Sequence, residues 1–315
     1  SVKKVNFKRF MIIGRKNLLG LIVLNLFFIQ CDKNNQGDNV VPTANALDLD
    51  STKNEAEIKE EKITYFPIAY KSNDSLREQF RNQYKGDSLY TILALNRLDK
   101  KNIWRADTLV VPSVIEKDFL KYSPFPHKLN VLKDVKKFVY FSYPIQAFSV
   151  YENGNLIKWG PTSMGKKATP TDQGLHFANW KKEVAISTSN DEWKLRWNFN
   201  ISNFRGIGWH QYDLPGYPAS HSCLRLLEED AFWLYKFADT WVLNKGGATV
   251  RANGTAVFVD GMYKWGGKKP WYQLLSDANA NDISEDHMTQ LIQPELTKII
   301  AEQQNREEVV KQIAE

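Results

Sequence analysis

The run KFVYFSYPIQAFSVYENGNLIKWG, Lys137–Gly160, restricts this chain more than any other stretch. Aromatic and β-branched residues flank Asn153-Gly154 on both sides. Asn-Gly between two such runs is the strongest short hairpin signal, because both residues accept the positive φ of a tight turn. From Lys136 onward the pattern therefore reads as strands. A second Asn-Gly, Asn253-Gly254 in ATVRANGTAVFVDG, predicts a second hairpin. Between the two lies one helical pattern over Leu227–Leu243. Its Leu227, Ala231, Leu234, Ala238 and Trp241 recur at steps of four and three and form an apolar face. Glu228, Glu229 and Asp230 occupy its first turn, where acidic side chains suit the helix dipole.

The ends of the chain are of another character. Residues 1–30 carry six basic residues (Lys3, Lys4, Lys8, Arg9, Arg15 and Lys16) and no acidic one. Removing those six from the 42 Lys and Arg leaves 36 basic against 36 acidic residues, so the net charge of +6 belongs to the start of the chain. A neutral remainder gives no electrostatic footprint for nucleic acid. After Lys16 comes LLGLIVLNLFFI, twelve uncharged residues. As a helix this reaches about 18 Å, short of a hydrocarbon core of about 30 Å. A basic segment followed by a short apolar one reads as a secretory signal over 1–30. It ends at FFIQC, which resembles the lipobox of bacterial lipoproteins, with Gln30 in place of a small residue and Cys31 as the lipidated position. Residues 31–62 are rich in Asn, Asp, Glu, Lys and Thr and read as a solvated tether.

Residues 63–125 read as a small module. YKGDSLYTILALNRLDKKNIWRADTLVVPS has a turn at Gly86-Asp87, a short helix through Leu89, Ile92, Leu93 and Leu95, and a strand closed by Pro112. It resembles a LysM repeat at KGDSL, at the Leu-Asn after the helix and at DTLVVP. The resemblance implies a βααβ module that binds peptidoglycan glycan; the alternative is a structural subdomain that binds no sugar. Residues 267–315 suggest a helical tail through Met288, Leu291, Ile292, Leu296, Ile299 and Ile300, interrupted near Pro294.

Chemistry concentrates in GWHQYDLPGYPASHSCLRL, Gly208–Leu226, which holds two of the five histidines and one of the two cysteines. A cysteine nucleophile needs a neighbouring base to form thiolate and later to protonate a leaving amine. Both His210 and His221 qualify. His221 is two residues from Cys223, on the same side of an extended segment. His210 is thirteen residues upstream across a loop that Pro215, Gly216 and Pro218 can fold back. The other readings are a small buried hydrophobe at Cys223, a core histidine beside Trp209, and a zinc site made of His210, His221 and Cys223. The zinc reading lacks any Cys-x-x-Cys or His-Glu-x-x-His.

SHSCLR, Ser220–Arg225, resembles the Ser-His-Gly-Cys-x-Arg signature of the L,D-transpeptidases (YkuD-type), and the whole loop is similar to one branch of that family. SMGKKATPTDQGLHF, Ser163–Phe177, resembles the family's Gly…Thr-Pro-Thr…Gly segment. The resemblance implies Cys223 as nucleophile and His210 as general base and acid. Ser220, His221, Ser222 and Arg225, with Thr169, Pro170 and Gly174, would shape the pocket and hold the donor peptide. Ser222 stands where the family has Gly. The implied fold is α+β, a β-rich sandwich catalytic domain over 126–266 with the Leu227–Leu243 helix against it and Cys223 at the end of a groove walled by ATPTDQG. The implied reaction is acyl transfer from a peptidoglycan tetrapeptide stem, with release of D-Ala and no metal or other cofactor. The acceptor would be an amine on a second stem or on an envelope protein, or water in a carboxypeptidase. Lipid anchoring at Cys31 would hold the protein at a membrane in the cell envelope, facing the periplasm. The reading from another class is a wall-binding lipoprotein that has lost catalysis.

Overall fold

The computed structural model describes residues 63–71, 73–187 and 190–315. The expected signal, the tether and Cys31 lie outside the described residues. The Lys137–Gly160 run forms β3 (Phe138–Ser142), β4 (Ala147–Glu152) and β5 (Asn155–Pro161). Asn153 and Gly154 join β4 to β5 with φ of 48° and 74°, the positive pair that the hairpin predicts. These strands belong to a five-stranded sheet of order β5-β4-β3-β13-β6, with β6 at Gly174–Phe177 and β13 at Ala256–Asp260. Successive side chains of a strand point to opposite faces. Phe138 and Tyr140 enter one core with Phe258, whereas Val139 and Phe141 enter another with Val257 and Val259. Near-continuous apolar runs are what a sheet covered on both faces requires.

One face packs on a second sheet, of order β10-β9-β8-β7. Its strands are β7 (Lys181–Ile186), β8 (Lys194–Ser202), β9 (Ile207–Gln211) and β10 (Leu224–Leu226). Phe199, Ile201, Ile207, Trp209, Leu224 and Leu226 fill the space between the sheets, closed by Ala231 and Leu234 of the main helix. This is the expected α+β sandwich.

Two local expectations fail. The main helix is α3, Glu228–Phe237, shorter than Leu227–Leu243. Lys137 Nζ donates to Phe237 O at 2.8 Å and Asp239 N–H donates to Thr255 Oγ1 at 2.9 Å, which draws the chain out of the helix. Trp241 is therefore not on the helix, and Val242–Leu243 form a strand, β11, paired with β12 at Val250–Ala252. Asn253-Gly254 does not make a hairpin either. Strand β12 pairs with β11, while β13 runs between a parallel β3 and an antiparallel β6. Gly254 is needed for close approach: a Cβ there would lie 2.1 Å from Asp239 O and 2.3 Å from Ala178 O.

The first described part is β1 (Tyr65–Ile68), α1 (Asp74–Gln83), α2 (Gly86–Leu95) and β2 (Leu109–Pro112), with β1 antiparallel to β2. The order is βααβ, but the second helix of the pair lies where the sequence put the first. Beyond it stands only a 3-10 turn, Ile103–Arg105. Asn96 fastens α2 to β2: its Nδ2 donates to Ile92 O and Val110 O, each at 2.8 Å, and its Oδ1 accepts from Val110 N–H at 2.9 Å. Arg97 is fully buried with φ of 57°. It donates to the carbonyls of Ile145, Ala94 and Leu95, and its guanidinium lies 5.9 Å and 5.3 Å from the rings of Trp159 and Trp271. Burial lowers its pKa from 12.5 to about 9.

The tail is helical: α4 at Glu285–Ile292 and α5 at Leu296–Ala314, with a 3-10 turn holding Pro294 between them. Met288, Ile292 and Ile299, together with Trp271 and Leu274, join Leu95 and Val110 over the second face of the five-stranded sheet.

Candidate active site

Cys223 and His210 line one pocket on the outer face of the four-stranded sheet. Strands β9 and β10 are parallel, with Leu224 opposite Trp209 and Arg225 opposite His210. Trp209, Leu224 and Leu226 point into the core. The alternate positions, Gly208, His210, Cys223 and Arg225, consequently face outward. Gly208 cannot carry a side chain, since a Cβ would lie 2.4 Å from Phe199 O on β8.

A parallel partner so close in sequence requires the loop between Gln211 and Cys223 to double back, and several bonds hold it there. Ser163 Oγ donates to Tyr217 O at 2.7 Å and accepts from Ala219 N–H at 3.2 Å. Ser220 N–H donates to Met164 O at 3.0 Å, and Lys166 N–H to Ser220 O at 2.9 Å. From the first module, Asp99 Oδ2 accepts from Leu214 N–H at 2.6 Å. Ser220 is buried and donates its hydroxyl to Cys223 O.

Hydrogen bonding distinguishes the two histidines. His210 is buried, and its Nδ1 lies 2.9 Å from Gln211 O. A carbonyl only accepts, so Nδ1 carries the proton and Nε2 holds the lone pair. Burial, with a smaller effect of Arg225, lowers its pKa from 6.5 to about 4, so the imidazole is neutral at neutral pH. His221 is exposed, and its Nε2 lies 2.8 Å from Lys166 Nζ. An ammonium only donates, so that nitrogen's lone pair is engaged. Burial, Lys166 and Arg225 all lower the His221 pKa. Cys223 is half-buried, and its Sγ lies 3.8 Å from Gly206 O. Burial raises its pKa above 9.0, opposed by the Gly208 N–H and by Arg225. The resting pair is a neutral thiol and a neutral imidazole, with no direct hydrogen bond between them among the described residues.

Ser222 adopts φ of 79°, the left-handed region that favours glycine. Its Oγ donates to Thr169 O at 3.3 Å, and its carbonyl accepts from Thr171 Oγ1 at 2.9 Å. Thr169 Oγ1 donates to Ser220 O at 3.2 Å. Thr169 and Thr171 thus brace the cysteine loop from behind, whereas Pro170 is exposed and Gly174, with φ of 88°, opens β6.

The pocket above Cys223 has a volume of about 100 Å³. Its walls include Trp180, Ile186, Trp193, Leu195, Asn198 and Asn200 of β7, β8 and their flanks. Thr169, Pro170 and Gly174 do not line it, so the groove wall expected of ATPTDQG comes instead from the β7–β8 hairpin. Sequence reasoning missed that wall, and it also missed Lys166 and Tyr212. The alternation in LRWNFN, with Asn198 and Asn200 either side of core Phe199, carries the signal for two of those residues. Among the described residues, no three His, Cys, Asp or Glu side chains come together as a metal-ligand group.

Residues 136–259 match the L,D-transpeptidase (YkuD) catalytic domain. That segment takes in Cys223, His210 and both sheets. The chain is also similar to a solved L,D-transpeptidase from Stackebrandtia nassauensis, at 23% identity over 41% of this chain and 57% of that one, with a TM-score of 0.33. An L,D-transpeptidase from Mycobacterium tuberculosis with a faropenem-derived adduct is 21% identical over 40% of this chain and 60% of that one, TM-score 0.31. One in complex with imipenem is 19% identical over 40% of this chain and 59% of that one, TM-score 0.32. The matched part spans about three-fifths of each of these L,D-transpeptidase chains. No curated protein sequence matches the chain.

Proposed function

We propose that this protein is an L,D-transpeptidase that uses Cys223 as nucleophile and His210 as its base and acid. One observation carries the assignment. His210 lines the same pocket as Cys223 and, with Nδ1 committed to Gln211 O, has no hydrogen-bond partner at Nε2 among the described residues, whereas the equivalent nitrogen of His221 is engaged by Lys166. His210 Nε2 takes the Cys223 thiol proton as sulfur bonds to the carbonyl carbon of the donor's third residue. Backbone N–H groups around Cys223 stabilise the oxyanion. As the C–N bond breaks, His210 returns the proton to the D-Ala nitrogen, leaving a thioester. An amine on a second stem or on an envelope protein then takes the acyl group. Hydrolysis by water is the alternative, and product analysis separates the two.

The donor in this reading is a peptidoglycan tetrapeptide stem, whose reacting end would enter the pocket lined by Cys223 and His210. Residues 63–125 would add glycan affinity, and Cys31 a membrane anchor in the cell envelope; pelleting of the mature protein with insoluble peptidoglycan tests the first. A second reading, a docking protein without catalysis, is favoured by Ser222 alone.

Intact mass spectrometry with imipenem, the ligand of one solved L,D-transpeptidase, tests the assignment. One adduct is expected, absent from Cys223→Ala and slowed in His210→Ala. A folded protein that forms no adduct, or one that keeps it in Cys223→Ala, refutes the reading.

A further inference from the structure

The strand beyond His210 is irregular where it faces the site. The pairs Arg196–Gln211 and Phe199–Trp209 leave Trp197 and Asn198 together opposite His210, a β-bulge in β8. Trp197 takes a φ of 53°, a strained value for a bulky residue. Its ring turns to α3, 4.7 Å from the Phe232 ring and 5.5 Å from that of Tyr235. Asn198 is left on the outer face, where it lines the pocket with His210 and Cys223. It is 5% exposed, and its side-chain amide has no hydrogen-bond partner among the described residues. The neighbouring Asn200 is buried too, but its amide pairs with that of Asn179 at 2.9 Å and donates to Ser202 O at 3.4 Å. Buried polar groups are as a rule partnered, so a strained bulge that sets an unpartnered amide beside the base calls for a ligand.

We infer that Asn198 binds the acyl acceptor, its Oδ1 holding the neutral primary amine that resolves the Cys223 thioester. The inference rests on the proposed function, and its geometry is that of the sheet. Neighbouring strands lie about 4.8 Å apart, so the site runs from Cys223 at β10, past His210 on β9, to Asn198 on β8. Asn200 stands opposite Gly208, and Cys223 precedes Leu224, the partner of Trp209. Gly208 therefore lies between Cys223 and Asn200 and fills none of the space above it. An amine entering from the β8 side crosses that space to the thioester carbon with His210 alongside.

The charges of the pocket suit a neutral amine. Arg205 and Arg225 line it, and no Asp or Glu does. A carboxylate beside the acceptor would hold it as an ammonium, which has no lone pair to attack with, whereas an amide oxygen accepts an N–H without adding charge. In the step itself the nitrogen lone pair forms the C–N bond and the C–S bond breaks. One proton of the nitrogen passes to His210 Nε2 and from there to the Cys223 sulfur. Asn198 Oδ1 keeps the N–H that remains in the amide product.

The test reads the fate of one intermediate. The mature protein is given an isotopically labelled tetrapeptide stem as donor and a tripeptide stem with a free side-chain amine as acceptor. Mass spectrometry then gives the ratio of cross-linked product to hydrolysed donor. Both products come from the same thioester, so a defect in folding or in acylation cancels in the ratio. The slope of that ratio against amine concentration should fall about tenfold in Asn198→Leu. Asn198→Asp keeps an accepting oxygen but adds a charge that raises the pKa of the bound amine, so the rise of the ratio with pH should move to higher pH. An unchanged slope in Asn198→Leu, an unshifted profile in Asn198→Asp, or hydrolysis as the sole fate in the wild type overturns the inference. Imipenem separates this from the proposed function. Without an adduct at Cys223 the function fails and takes the inference with it; with an adduct and an unmoved ratio, the inference alone fails.

Discussion

Acidification should cost this protein stability through His210 specifically. The imidazole is 3% exposed, and burial holds its pKa at about 4 against an ordinary 6.5. Between those values the unfolded chain binds a proton at this position and the folded chain does not. Stability therefore falls as the pH drops through that window. By about pH 4.5 most of the window has been crossed, and at about 1.4 kcal/mol per pH unit the loss is about 2.5 kcal/mol. Other groups also titrate there. Asp230 is buried, and burial raises its pKa from 3.8 to about 6 despite Lys158 Nζ at 2.7 Å. Its slope has the opposite sign, since the folded state binds the extra proton, so the total stability of the wild type understates the His210 effect. Urea unfolding of wild type and His210→Gln near neutral pH and near pH 4.5 removes the shared part, because Asp230 titrates in both. The wild type should lose about 2.5 kcal/mol more than the variant on acidification. Equal losses within about 0.5 kcal/mol would refute the claim that His210 is held neutral by burial, and with it the neutral resting pair.

Three further outcomes are expected. The rate of iodoacetamide alkylation of Cys223 should climb with pH without a plateau below pH 9, because burial raises the thiol pKa above 9.0; a plateau near neutrality would indicate a thiolate–imidazolium pair. Arg97→Ala should lower stability by about 3 kcal/mol in urea titrations, since it leaves buried carbonyls without donors and opens a cavity between two tryptophans. Ser222→Gly should raise the melting temperature slightly, whereas Ser222→Val should destabilise by about 2 kcal/mol, because a β-branched residue is strained at positive φ.

Much of the site could be read from the chain because its geometry is a strand alternation. In GWHQ, Trp209 points in and His210 points out, and Cys223 with Arg225 does the same on the neighbouring strand. The proposed preference for His210 over His221 could not be read from spacing, because it rests on Lys166, fifty-five residues from His221, reaching its ring. Gly154 and Gly254 show the same division for the fold. Both follow Asn between β-rich runs, but Gly154 makes a local turn and Gly254 lets its strand pass Asp239 and Ala178. Periodicity sees the first kind of glycine; the second is fixed by neighbours distant in sequence. The end of α3 is alike in this, since Lys137 and Thr255 determine it from outside the helix.

The boundaries suggested by sequence, near residues 125 and 267, divide a core that the structure shares. Phe138, Tyr140, Tyr151 and Phe258 present one face of the central sheet, and Leu129, Leu132 and Val135 cover it together with residues from outside 126–266. Leu95, Val110, Tyr122 and Phe125 belong to the first module, and Trp271, Leu274, Met288, Ile292 and Ile299 to the tail. Cutting at both boundaries would expose about four large apolar side chains of the sheet and remove nine covering ones. At about 1.5–3 kcal/mol per buried side chain, the sheet face alone forfeits about 6–12 kcal/mol, comparable with the whole stability of an ordinary domain. The cut also removes Asp99 from Leu214 and Tyr90 from Asp230, so the cysteine loop and the start of α3 each lose a partner. Residues 126–266 expressed alone should therefore show no cooperative thermal transition, whereas residues 63–315 should show a single one. A cooperative transition in the short fragment, with imipenem acylation at the rate of the longer protein, would mean that the module and the tail are appendages rather than half of the core.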